Sequence, residues 1–68
     1  MLEVHEALRI AIDALREQKL MYRDEFKLTA SQVEGEWVFW FVFLPQTPGL
    51  DVTAAVDEGG NVRTLVGF

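Results

Sequence analysis

Residues 37–44 read WVFWFVFL, every one apolar and most of them aromatic. β-branched and aromatic side chains fit a pleated surface better than a helix. The run is also bracketed by Glu34-Gly35-Glu36 and Pro45, which break regular structure. It therefore reads as a central strand buried on both faces. One face should meet a helix of the same chain, and the other needs a partner.

The residues upstream fix how this strand pairs. In FKLTASQV, Phe26, Leu28 and Ala30 alternate with Lys27, Thr29 and Ser31, the period of a strand. Glu34-Gly35 suits a two-residue hairpin turn, which places Val33 opposite Glu36. Phe26, Leu28 and Ala30 then face Phe43, Phe41 and Phe39. A slip of one residue would set the phenylalanines beside Lys27 and Thr29 instead. The face with Phe39, Phe41 and Phe43 is accordingly assigned to the helix. Val38, Trp40, Val42 and Leu44, flanked by Val33, form the opposite face and the candidate association surface.

Pro45, Pro48 and Gly49 end the central strand in a loop, and the PxxP spacing within it reads as a plain connection between strands. Leu50, Val52, Ala54 and Val56 then alternate as a third strand, and VRTLVGF follows as a fourth running to Phe68. Counting Asp57 to Asn61 as the loop pairs Val56 with Val62, Ala54 with Thr64 and Val52 with Val66, which keeps apolar residues together. Ahead of the strands, from about Leu2 to Lys19, Val4, Leu8, Ala11, Ile12 and Leu15 recur at spacings of three and four. That stripe predicts an amphipathic helix with one buried face. With no repeat or linker, the 68 residues read as a single α+β domain, a helix packed on a four-stranded antiparallel meander.

The alanines Ala7, Ala11 and Ala14 in the helix, the strand opening Trp37-Val38-Phe39, and the turn Val56-Asp57-Glu58-Gly59-Gly60-Asn61-Val62 resemble PepSY-like domains of cystatin-like fold. The resemblance implies a helix laid across a curled sheet and a part in modulating or inhibiting peptidases. Aspartate and glycine also belong in such a turn for backbone reasons, since glycine accepts positive φ and aspartate binds nearby amides.

A chain of this length buries only about 60% of its unfolded surface on folding. It has no cysteine, so neither disulfides nor thiolate metal sites can reinforce the core, and oligomerisation is the remaining common staple. A homodimer is expected. The composition suits a reducing cytoplasm, and the acids Glu3, Glu6 and Asp13 do not fit a signal peptide. An eight-residue apolar run is far short of the roughly 20 residues needed to span a bilayer as a helix.

The net charge is −5, and residues 28–68 hold five acids against Arg63 alone. No basic cluster exists to neutralise phosphates, which argues against nucleic acid as a direct ligand. The acidic half could meet a basic protein surface, although scattered carboxylates mostly confer solubility.

Catalytic chemistry has little to work with. His5-Glu6-Ala7-Leu8-Arg9 begins like the zinc motif HExxH, but Arg9 stands where the second histidine would be. Ser31 has no base beside it in sequence, and the acidic pairs lie in or beside turns, as solvating charges do more than catalysts. The expectation is a protein without cofactor or catalytic residues. It would be an interaction or inhibitor-like regulatory domain that self-associates through Val33, Val38, Trp40, Val42 and Leu44. The alternative is a module binding a small apolar ligand in a pocket between helix and sheet, lined by Trp37 and Trp40.

Overall fold

In a computed structural model, which describes residues 2–45, 47 and 49–67, one helix, α1 (Val4–Glu17), precedes four strands. They are β1 (Phe26–Val33), β2 (Glu36–Phe43), β3 (Asp51–Val56) and β4 (Val62–Val66). All pair antiparallel in the order β1-β2-β3-β4, giving an open sheet with β1 and β4 at its edges. The helix packs on one face of this sheet, an α+β fold.

The register of both hairpins follows the alternation of the sequence. Val33 stands opposite Glu36, and Leu28 and Ala30 stand opposite Phe41 and Phe39. Glu34 and Gly35 both have positive φ, 50° and 81°, as a tight hairpin turn of this length requires. Across the other hairpin, Val56 pairs with Val62 and Val52 with Val66. The Asp57 carboxylate holds that turn by accepting hydrogen bonds from the amides of Gly59 and Asn61, both at 2.9 Å.

The core lies between α1 and β2–β3. Phe39, Phe41, Phe43, Val52, Ala54 and Val56 meet Ala7, Ala11 and Leu15, and all nine are fully buried. Ala7 and Ala11 carry the smallest side chains that still favour a helix, so the helix can settle close to the phenylalanines. Each buried phenylalanine contributes on the order of 2–3 kcal/mol by leaving water.

The helical stripe is rotated from the one its larger residues outline. Val4, the first residue of α1, is 42% exposed, whereas Ala7 lies at the centre. Leu8, Ile10 and Ile12 pack around the edge of the core. The helix reaches β2, β3 and β4 but not β1. Tyr22, in the connection after the helix, lies edge-on to Phe43, and Phe26 packs against Phe41 and Phe43. Beyond Phe26 the inward side of β1 is uncovered, with Leu28 38% exposed and Ala30 exposed as well. The Phe39, Phe41 and Phe43 face meets the helix as expected, while the row of β1 opposite it is partly buried only at Phe26, against Phe41 and Phe43.

The ends of the elements also differ. The helix is shorter than Leu2–Lys19 and closes with the Leu20 amide on the Leu15 carbonyl and the Lys19 amide on that of Arg16. This is a left-handed C-cap in which Lys19, at φ 61°, stands where glycine is usual. Strand β4 ends at Val66; the expected continuation passes through Gly67, which is not in a strand, to Phe68, which lies outside the described residues.

Two consequences can be measured by urea unfolding. Phe41→Ala should lower the unfolding free energy by about 3–5 kcal/mol, as a cavity in a packed core does. Lys19→Gly and Glu34→Asn should each raise it by about 0.5–1 kcal/mol, because the new residue relieves positive φ in the same backbone.

Candidate functional site on the outer sheet face

The alternation that buries the odd-numbered residues of β2 sends its even-numbered ones to the other side of the sheet. Val38 and Val42 are half-buried there, and Trp40 between them is 46% exposed. Trp40 stands opposite Thr29 on β1 and Thr53 on β3, and Thr53 stands opposite Leu65 on β4. Leu65 is 68% exposed and Val33, at the end of β1, 51%. No second layer of this chain covers that face among the described residues.

The relief of the face follows from residue size. Val38, Trp40 and Val42 form a ridge along β2, while β3 contributes the smaller Thr53 and Ala55 beside it. Thr53, Ala55, Arg63, Thr64 and Leu65 line a shallow depression of about 380 Å³. Ala55 is small enough for Arg63 to reach across β3 and ion-pair with Glu36 on β2 at 2.6 Å. Exposed pairs of this kind contribute about 0–1 kcal/mol, so this one shapes the surface more than it holds the fold. At the other end the Trp40 indole donates to the Asp51 carboxylate at 3.0 Å. A side chain on Gly67 would collide with that carboxylate, so glycine there preserves the contact.

Four of the five residues expected on this surface belong to the outer row of the β1–β2 hairpin: Val33, Val38, Trp40 and Val42. Leu44 lies just past β2, at a cis Leu44–Pro45 bond, and extends the ladder by donating its amide to the Glu25 carbonyl at 2.9 Å. Leu65 was not among the expected residues. The signal was available, because the β3–β4 register sets it opposite Thr53 and hence in the row of Trp40.

The two tryptophans do not share a cavity. Trp37 is on the helix side, stacked on Phe39 with its indole donating to the Leu2 carbonyl at 2.9 Å, whereas Trp40 is on the outer side. The space a ligand would need between helix and sheet is filled by the three phenylalanines, Leu15, Val52 and Val56.

Both hairpin turns lie at the same end of the sheet, where Glu34, Glu36, Asp57 and Glu58 surround a shallow hollow. Asp57 has its pKa lowered by the Asn61 backbone and side-chain hydrogen bonds, with the Gly59 amide and nearby Arg63 acting in the same direction. Near the start of the helix, His5 Nδ1 lies 3.4 Å from Glu3, and Glu6 completes a group of possible ligands. His5 and Glu3 are largely exposed, and the surroundings give no enclosure to such a group. The PxxP reading falls partly on Gln46 and Pro48, outside the described residues.

Comparison with family models, with curated proteins and with solved structures returns no match. No helix among the described residues is long and apolar enough to cross a membrane.

The turn yields a pH test. Because the folded-state pKa of Asp57 is depressed, its carboxylate stabilises the fold above the unfolded pKa of about 3.9, and that contribution disappears as pH falls through the folded value. The stability gap between the parent and Asp57→Ala should be widest near neutrality and narrow in acid, as measured by urea unfolding from pH 7 down to pH 2.5.

Proposed function

We propose that this protein is a non-catalytic interaction domain that forms a homodimer through the outer face of its sheet and acts as a small regulator of another protein. The observation that carries this reading is the exposed pair Trp40 and Leu65, either side of Thr53, with half-buried Val38 and Val42 along the same ridge, on a face that nothing else in the described chain covers. Large apolar side chains left exposed together on one face, framed by polar residues, mark interaction sites. A second copy suits it because the relief is self-complementary. Under a two-fold axis, the ridge of Val38, Trp40 and Val42 on each copy faces the depression over Thr53 and Ala55 on the other.

Size sets the strength of the contact. Four strands of five to eight residues, spaced about 4.8 Å apart with a rise of about 3.4 Å per residue, give the face roughly 400 Å² of projected area. Stable interfaces bury about 1,200–2,000 Å² in total, so pairing through this face alone is a weak, concentration-dependent association.

The regulatory part of the proposal draws on the resemblance to PepSY-like domains and on the acidic turn end. Glu34, Asp57 and Glu58 stand together there, with Glu36 beside them at the border of the outer face and already paired with Arg63, and complement a basic patch on a target protein. A cytoplasmic setting belongs to the same proposal, in keeping with a composition that includes no cysteine.

Light scattering on a sizing column, across a wide concentration range, tests the pairing. Trp40→Glu should leave the protein folded, halve the mass of the associated parent and weaken the dependence of its melting temperature on concentration. A parent that stays monomeric throughout, or an association unchanged by Trp40→Glu, would overturn this reading.

A further inference from the structure

We propose that β1 is a second association surface, pairing edge to edge and antiparallel with β1 of another copy to join two sheets into one of eight strands. The inference rests on which way the backbone of β1 points. In a hairpin closed by two residues, the flanking pair exchanges both hydrogen bonds, and such pairs then recur at every second residue. Val33 and Glu36 are that flanking pair, so Ser31, Thr29 and Lys27 also turn their amides and carbonyls toward β2. The Leu44 amide on the Glu25 carbonyl continues the same alternation. The backbone N–H and C=O groups of Leu28 and Ala30 therefore point away from the sheet, into open space along the edge.

The two edges are defended differently. Strand β4 is five residues long and carries Arg63, whereas β1 runs for eight residues with no proline, no bulge and Lys27 as its one charge. A long, regular and nearly uncharged edge is the kind that other proteins blunt with charges, prolines or bulges. Beyond Phe26 both sides of β1 are also bare: the helix stops short of it on one side and no second layer of the described chain lies on the other.

A second copy fits this edge by register. Under a two-fold axis normal to the sheet and passing by Thr29, Leu28 stands opposite the second copy's Ala30, and Ala30 opposite its Leu28. Each of these pairs can exchange both backbone hydrogen bonds, since all the groups involved point outward. On the helix side the exposed Leu28 and Ala30 of both copies form one apolar strip, bounded at either end by Phe26. On the outer side Thr29 meets its own counterpart, a favourable cross-strand pair, and Lys27 meets Ser31 rather than another lysine.

This contact does not depend on the face-to-face pairing. Its axis is perpendicular to the sheet and passes beside β1, whereas the axis of face pairing lies parallel to the sheet over β2 and β3, so each contact forms without the other.

The decisive substitution is Ala30→Pro. Proline is tolerated on an edge strand where the lost N–H faced outward, so the β1–β2 ladder is kept while the edge loses a donor at its centre. Mass across a concentration series is compared for the parent, Ala30→Pro, Trp40→Glu and the double variant. The expected result is that folded Ala30→Pro halves the parent mass, with at least a hundredfold weaker association, and that it also dissociates the species left by Trp40→Glu. Failure of the face-to-face reading would show separately, as a parent dissociated by Ala30→Pro and indifferent to Trp40→Glu. A folded Ala30→Pro with unchanged association would overturn the edge proposal. Should that variant not fold, amide exchange on the parent decides: the Leu28 and Ala30 amides must become protected as concentration rises, and free exchange at every concentration would overturn the pairing.

Discussion

Three phenylalanines on alternate residues of β2, lying beneath Ala7, Ala11 and Leu15, are the contact on which the rest of the structure depends. Strand periodicity makes that burial an either-or choice. Once Phe39, Phe41 and Phe43 turn toward the helix, Val38, Trp40 and Val42 must turn away from it. Shifting β1 by one residue against β2 would bring Lys27 and Thr29 to the helix side. The positive φ values of Glu34 and Gly35 fix the same register from the turn, so the local and long-range constraints agree.

This agreement explains why the sheet was legible in the sequence. Alternation and turn length each specify a register, and in both hairpins they specify the same one, residue by residue. The helix was less legible because a stripe of large apolar residues is not the same as the face nearest the sheet. Where a helix must approach closely, the centre of the contact belongs to small residues, and Ala7 lies there while Val4 is partly in water. The bare flank of β1 could not be read at all, since no periodicity in β1 records how far across the sheet a helix of fourteen residues will reach.

The candidate surface divides along the same line. Val33, Val38, Trp40 and Val42 followed from parity alone. Leu65 needed two registers to be combined before it joined the row of Trp40, because sequence places it 25 residues away. The ion pair between Arg63 and Glu36, and the bond from Trp40 to Asp51, depend on side-chain reach across a third strand and leave no pattern in the chain. Asp57 shows the opposite case. The residue that contributes to the family-like turn motif is accounted for by its hydrogen bonds to Gly59 and Asn61, so the motif bears on local folding before it bears on function.

A domain this small leaves about two-fifths of its unfolded surface in water, and here much of the apolar share lies on one open face and one open edge. Two such surfaces on one chain can build a closed assembly or an open one, depending on whether the two-fold axes of the contacts intersect. The charges limit the directions of association. Glu34, Glu36, Asp57 and Glu58 gather at the turn end, so end-to-end stacking of one copy's turns on another's brings carboxylates together. Side-by-side pairing of β1 and face pairing over β2 and β3 keep apolar or neutral groups at the centre of the contact. The same acids that keep the turns in water thereby restrict association to the two directions in which the apolar surface can be covered, and both of those are related by two-fold axes.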